Sequence, residues 1–344
     1  MKNVLNGPPD SFSELSWSWI IYFLSPVFYL IISGCNKSNQ DLTPGYNVYM
    51  SGTLSGNAVY WKNGAPVFLS ERGKAYSIFV NGSDIYVCGS IEKDNNSFGT
   101  NWVRVESLAS YWKNGKVVYL ENQAWSEATG MAIQGDDIYI VGFIAESDSV
   151  WHPVYWKNGV LNYLSPESKG SATGIAVSGQ QVYISGNTYG NSSDSAIVWE
   201  NGKKVFFGEI GPMNAVGYNG TDMFATGYLY GVPMYWVGNK KVELYNNGIP
   251  DAIAFSGTDV YFGGTVRPGL DDNYAAIWKN DSLTILTDQY TNSNVSGIAV
   301  AGKDVYAVGY INDEFINFSP VYWKNGVMVK LGSNGWVYSI TIVR

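Results

Sequence analysis

One histidine and two cysteines in 344 residues exclude most catalytic chemistry at the outset. His152, Cys35 and Cys88 cannot assemble the nitrogen and sulfur ligand set of a zinc site. A Ser-His-Asp triad would have to be built on His152, which lies beside Trp151 in a connection between apolar runs and reads as a solvated loop residue. No Gly-x-x-x-x-Gly-Lys-Ser/Thr segment is present to cradle a phosphate. Carboxylates remain, since two of them flanking a glycosidic bond can hydrolyse it. Acids such as Glu92, Glu106, Glu127, Glu146 and Asp313 fall in the variable connections of the chain and read as solvated loop residues. Asp271-Asp272-Asn273 lacks the spaced oxygen ligands that calcium needs. No catalytic residue, metal site or cofactor is expected.

Aromatic residues offer another chemistry, stacking on a ligand, and the chain holds 13 Trp and 26 Tyr. Seven of the tryptophans have an assigned place. Tyr-Trp-Lys-Asn-Gly occurs at Tyr60–Gly64, Tyr111–Gly115, Tyr155–Gly159 and Tyr322–Gly326, with looser copies around Trp199, Trp236 and Trp278. The seven tryptophans are 51, 44, 43, 37, 42 and 45 residues apart, a period found in propellers and solenoids. An aromatic-x-x-Gly motif keeps step with them, ending at Gly52, Gly89, Gly142, Gly186, Gly227, Gly264 and Gly309. Equivalent core positions must be filled in every repeat, so the repeated Trp reads as core. The Lys that follows it reads as a solvent-facing hairpin residue.

The elements that would position any site follow from the same motifs. Asn-Gly between β-prone runs signals a type I′ hairpin. Each repeat therefore reads as four short strands, a to d, with tight a–b and c–d turns. Apolar runs of this length, broken by Gly, Asn and Pro, do not suit a long helix. The expected fold is all-β, a seven-bladed β-propeller of four-stranded antiparallel blades. Val337–Val343 resembles a strand a with no strand b after it, and Gly45–Gly52 a strand b with no strand a before it. The C-terminal strand is expected to join the N-terminal blade and close the ring, removing two exposed sheet edges.

Closure leaves two unlike faces. The a–b and c–d hairpins share one, whereas the b–c and d–a connections share the other and vary. From the strand b glycine to the strand c Trp the gap is 9 residues in two repeats and 23 between Gly89 and Trp112. Binding residues concentrate on variable loops held by a rigid scaffold. Candidate ligand-binding residues are Trp102, Arg104, Trp125, Trp151, Tyr290 and Trp336, which lie outside the repeat pattern. The segment Ser90–Ser110, which holds Trp102 and Arg104, is the largest departure and can fold over the channel mouth.

The first 44 residues differ in kind. Trp17–Ser33 is a continuous apolar stretch ending in Ile32-Ser33-Gly34-Cys35, with a polar stretch after it. This resembles the lipobox of bacterial lipoproteins, which implies lipid attachment to Cys35 and cleavage before it; an uncleaved membrane anchor is the alternative. The expected organisation is a signal segment over 1–35, a linker over 36–44 and the propeller over 45–344. Cys88 then has no disulfide partner and reads as a small buried hydrophobe. The net charge of −8, with no basic run, argues against nucleic acid as a partner.

The repeats are similar to β-propeller units ending in Trp-x-Asn/Asp-Gly, and more loosely to extracellular HAF-type repeats; they lack the WD and kelch signatures. The resemblance carries no catalytic residues. The fold and lipobox together imply a monomeric, lipid-anchored protein of the bacterial cell envelope that binds a glycan, peptide or protein. The alternative is an envelope carbohydrate-active enzyme with a carboxylate pair at the channel mouth.

Overall fold

The computed structural model describes residues 45–95, 104–121, 125–147, 150–166, 169–189, 194–244, 247–267, 273–287, 292–314 and 317–344. The expected signal segment, Cys35 and the linker lie outside the described residues. Among the described residues every regular element is a β-strand, and the strands form seven four-stranded antiparallel sheets, the blades of a β-propeller. Strand a is innermost. It is Gly73–Asn81 in blade 2, Ser126–Gln134 in blade 3, Lys169–Ser178 in blade 4, Met213–Tyr218 in blade 5, Gly248–Ser256 in blade 6 and Asn292–Ala301 in blade 7.

Blade 1 is composite. Its strands b, c and d are Asn47–Leu54, Asn57–Lys62 and Ala65–Ser70, and its strand a is the C-terminal Gly335–Val343. That strand pairs with strand b from Leu54↔Gly335 to Asn47↔Val343. Ring closure is therefore made by the chain ends, as the unmatched motifs implied.

The repeated Trp is the core. Trp61, Trp112, Trp156, Trp199, Trp236, Trp278 and Trp323 are all buried. Each lies in strand c and packs against the preceding blade, as Trp156 does against Tyr86, Cys88 and Ala109 of blade 2. Strands covered on both faces need apolar residues at successive positions, which is why strict alternation is missing. Cys88 is fully buried in this layer, and burial pushes its thiol pKa well above the usual value.

The rest of the pentapeptide builds the c–d turn. Asn63 and Gly64 have φ of 51° and 83°, the positive pair that type I′ requires, and the other Asn-Gly turns match. The Asn also closes the hairpin face. Asn114 Oδ1 accepts from the N–H of Ile85 (2.8 Å), and its Nδ2 donates to Asp84 Oδ1 (2.8 Å). Lys113 Nζ lies 3.0 Å from Asp84 Oδ2 and 5.1 Å from the centre of the Tyr86 ring. The same pair of Asn contacts recurs at Asp137/Asn158, Asp259/Asn280 and Asp304/Asn325. Lys157, Lys279 and Lys324 pair with those aspartates in turn. Lys113, Lys157 and Lys279 face solvent, as expected, whereas Lys324 is more covered, and each is engaged.

The two ends of Ser90–Ser110 are paired. Strands b and c of blade 2, Asp84–Asn95 and Arg104–Lys113, run on as a ladder from Ser90↔Ala109 to Asn95↔Arg104, and residues 96–103 between them lie outside the described residues. Two strands of equal extension satisfy their backbone groups by pairing, which a loop of that length could not do.

Candidate functional site

Strand a departs from regular pairing at one place in every blade. The ladder to strand b skips Tyr338, Tyr76, Thr129, Thr173, Asn214, Asp251 and Ser296 in blades 1 to 7. A β-bulge re-aims the side chain it carries. All seven residues line one cavity of about 240 Å³ in the central channel. Each bulged residue is polar, and the wall is continued towards the hairpin face by aliphatic side chains including Met131, Ile175, Ile253 and Ile340.

The bulge explains the second sequence motif. The aromatic-x-x-Gly glycines stand where strand a kinks towards strand b. A Cβ on Gly142 would overlap the carbonyl oxygen of Glu127, two residues before the bulged Thr129. A Cβ on Gly309 would meet Asn294 in the same way, two residues before Ser296. Neither glycine has positive φ, so close backbone approach rather than turn geometry requires it.

Several bulged side chains staple one blade to the next. Thr129 Oγ1 donates to the carbonyl of Ala172 (2.8 Å), Thr173 Oγ1 to that of Met213 (2.8 Å), and Asn214 Nδ2 to that of Pro250 (3.1 Å). Each accepting carbonyl immediately precedes the next blade's bulge. At Asp251 the direction reverses, because an ionised carboxylate only accepts. Its Oδ1 takes a hydrogen bond from Asn214 Nδ2 (2.9 Å) and its Oδ2 one from Asn294 Nδ2 (2.7 Å). Asn294 also donates to Thr265 Oγ1 (2.8 Å) and accepts from Ser296 Oγ (2.8 Å).

By accessible surface Asp251 is only half-buried, since it borders the cavity. That cavity is lined by residues of all seven blades, which withdraw the carboxyl from bulk solvent. Burial pushes its carboxyl pKa up to about 6, against the opposing pull of the Asn294 hydrogen bond and the Arg267 charge. Across the channel the arc is aromatic. The Tyr76 and Tyr338 rings lie 5.1 Å apart, and the Tyr76 hydroxyl donates to Glu127 Oε2 (2.8 Å). Burial, and then the Glu127 charge, raises the Tyr76 phenol far above its ordinary value. Lys74 Nζ is 3.7 Å from Glu127 Oε1.

The residues singled out from sequence are distributed differently. Trp102 and Tyr290 lie outside the described residues. Arg104 opens strand c of blade 2, opposite Asn95. Trp125 and Trp151 meet edge to face at 5.8 Å, with Phe143 stacked on Trp151 at 5.1 Å, in blade 3. Trp336 packs with Phe318 at 5.2 Å, and Phe318 with Tyr310 at 5.2 Å, at the seam of blades 7 and 1. The aromatics thus form two clusters belonging to different blades. His152, read as a solvated loop residue, lies in strand c of blade 3, Val150–Lys157, with its side chain 17% exposed and its Nε2 3.2 Å from Oε2 of the exposed Glu146. Among the described residues no group of three or more His, Cys, Asp or Glu is placed to hold a metal ion. Several acids read as loop residues, including Glu92, Glu127 and Glu146, lie in strands instead.

Asp251, Asn214 and Asn294 were not singled out from sequence. A signal was present in the small-polar-small triplets Ala75-Tyr76-Ser77, Ala128-Thr129-Gly130 and Ala172-Thr173-Gly174, which recur at the bulge.

No protein-family model and no curated protein matches the chain. Solved structures do. A puromycin-hydrolyzing peptidase of Mycobacterium tuberculosis is 12% identical with a TM-score of 0.53, over 83% of this chain and 53% of that one. The β-propeller domain of the Trilobed protease from Pyrococcus furiosus is 12% identical with a TM-score of 0.49, over 85% and 96%. The computationally designed Ika8 protein is 14% identical with a TM-score of 0.45, over 84% and 79%. The chain spans about half the length of the puromycin-hydrolyzing peptidase. At such identities the likeness is one of fold alone.

Proposed function

We propose that the chain is a non-enzymatic recognition or scaffold propeller that holds a glycan, peptide or protein on its loop face. One observation carries this reading. The hairpin face carries the same Asp-Lys-Asn contacts in four blades, whereas the channel gathers five kinds of polar residue from seven blades around one cavity. A site whose residues vary around a rigid ring can be specific; a repeated structural contact cannot. Trimming the blade 2 hairpin beyond Ser90 and Ala109 should weaken binding of a ligand found on a glycan or peptide array, and Lys113→Ala should leave it intact. Loss with Lys113→Ala alone would place the site on the hairpin face.

The lipobox-like Ile32-Ser33-Gly34-Cys35 supports tethering of this propeller to a bacterial envelope by a lipid on Cys35. Labelled palmitate should enter the wild type and Cys88→Ala but not Cys35→Ala. Absence of label from the wild type in a bacterial host would leave the uncleaved anchor.

Asp251 favours a second reading, an envelope carbohydrate-active enzyme, because a carboxyl titrating near 6 suits a general acid. Against it, Asp251 is the sole carboxylate among the described residues that line the cavity, and Glu127 is engaged by Tyr76 and Lys74. Glycoside turnover abolished by Asp251→Asn would decide for the enzyme.

A further inference from the structure

The polar side chains around Asp251, from Thr129 round to Ser296, share a sign. Asn214 spends both amide hydrogens, on Pro250 and Asp251, and Asn294 spends both of its own, on Asp251 and Thr265. The hydroxyls of Thr129, Thr173 and Ser296 donate into the wall, to Ala172, Met213 and Asn294. With the donors engaged, these side chains offer the cavity lone pairs: the Asn214 carbonyl oxygen, the hydroxyl oxygens and the Asp251 carboxylate. The free edge of each strand a adds backbone N–H and C=O groups alike, so the side chains decide the preference. Among the described residues Asp251 has no ion-pair partner. Arg267 is near enough to lower its pKa, but Arg267 Nε donates to Asn273 Oδ1 (2.8 Å).

A single carboxylate beside an aliphatic wall does not suit a hard metal ion, which requires several oxygen ligands and often more than one negative charge. It suits an organic cation with three hydrogen-bond donors and an apolar stem. On the opposite arc Lys74 Nζ already lies over the Tyr76 ring, 5.8 Å from its centre, and the neighbouring Tyr338 ring adds a surface that also favours a cation.

We propose that the channel binds a ligand through a protonated primary amine, seated against Asp251 and the lone pairs that neighbouring bulged residues turn to the cavity. The amine could belong to a lysine side chain of a peptide or to an amino sugar; both present the same ammonium. The inference rests on reading the loop-face channel as the binding site and names the chemistry it selects.

The test is calorimetry of the full chain in detergent at pH 7.5. The probes are n-butylamine, n-butanol, Nα-acetyl-lysine methylamide, glucosamine, N-acetylglucosamine and calcium chloride. n-Butylamine should bind, on the order of millimolar for so small a ligand, and at least tenfold more tightly than n-butanol. Preference for the lysine derivative or for glucosamine over N-acetylglucosamine identifies the source of the amine. Asp251→Asn should weaken amine binding at least tenfold, and Lys113→Ala should not. Should Asp251→Asn fail to fold, the wild type still answers. Its affinity for n-butylamine should fall as pH drops through about 6, where Asp251, with Arg267 as its neighbouring cation, gains a proton while the nearby Tyr310 phenol, raised by burial, stays neutral. Equal binding of n-butanol, unchanged affinity in Asp251→Asn or across that pH range, calcium binding that displaces the amine, or no amine binding would each overturn the proposal. An array ligand lacking an amine that is lost on trimming the blade 2 hairpin would overturn this inference and leave the recognition reading standing.

Discussion

The two kinds of glycine in each repeat should respond differently to one added methyl group, and blade 3 allows a clean comparison. Gly135 opens the a–b turn with φ of +60°, and nothing lies within 4 Å of a Cβ built there. Gly135→Ala therefore costs only the left-handed backbone strain, about 1–2 kcal/mol. Gly142 has ordinary strand geometry, but its Cβ would overlap the Glu127 carbonyl oxygen and lie 3.2 Å from the Ala128 Cα. A backbone atom cannot rotate aside as a side chain can, so strand a must withdraw. Withdrawal disturbs the bulge at Thr129 and its hydrogen bond to Ala172. Overpacking in a core costs ~1–3 kcal/mol, and loss of a hydrogen bond of this kind adds ~1 kcal/mol. Gly142→Ala should thus lose ~2–4 kcal/mol, about twice the loss in Gly135→Ala. At roughly 2 °C per kcal/mol for a domain of this size, the melting temperature should drop by ~4–8 °C against ~2–4 °C. Circular dichroism melts and urea midpoints of both variants measure this. Equal losses, or a larger loss in Gly135→Ala, would refute the claim that the aromatic-x-x-Gly glycine exists to admit the bulged strand.

Removing Gly335–Arg344 should strip blade 1 of strand a, expose Val48 and Met50, and abolish cooperative melting; an unchanged transition would mean that closure adds nothing. Asn114→Ala should cost about 1–2 kcal/mol through the lost hydrogen bond to Ile85 and the positive φ it leaves behind, measured by urea denaturation. Lys113→Ala, at an exposed ion pair, should leave the melting temperature unchanged. Asp251 titrates near 6 when folded, above its ordinary 3.8, so its contribution to stability is greatest below about 4 and is lost as pH rises towards 6. The melting temperature of Asp251→Asn relative to the wild type should therefore be more favourable at pH 7 than at pH 4.5. Asp84, Asp137 and Asp259 have lowered pKa values and act oppositely, losing stability as pH falls below the ordinary carboxylate range, in both proteins alike.

Sequence alone determined the features that depend on neighbours along the chain. Asn63-Gly64 and its copies dictate type I′ turns because two adjacent residues must take positive φ. The spacing of seven tryptophans sets the number of blades, since each blade needs one large side chain against its predecessor. The unmatched strands at Asn47 and Gly335 imply ring closure because an open edge would leave backbone groups unpaired. Tertiary structure decided the channel. Asn214, Asp251 and Asn294 are about forty residues apart in sequence, and only the radial arrangement of the blades makes them adjacent. Their direction is set by a bulge, a register event between two strands that no spacing along one strand reveals. The same limit applies to Ser90–Ser110, where the sequence shows an insertion and cross-strand pairing extends the two strands that enter and leave it. Local chemistry specifies turns and strands, whereas a site built from seven repeats depends on long-range packing to bring its members together.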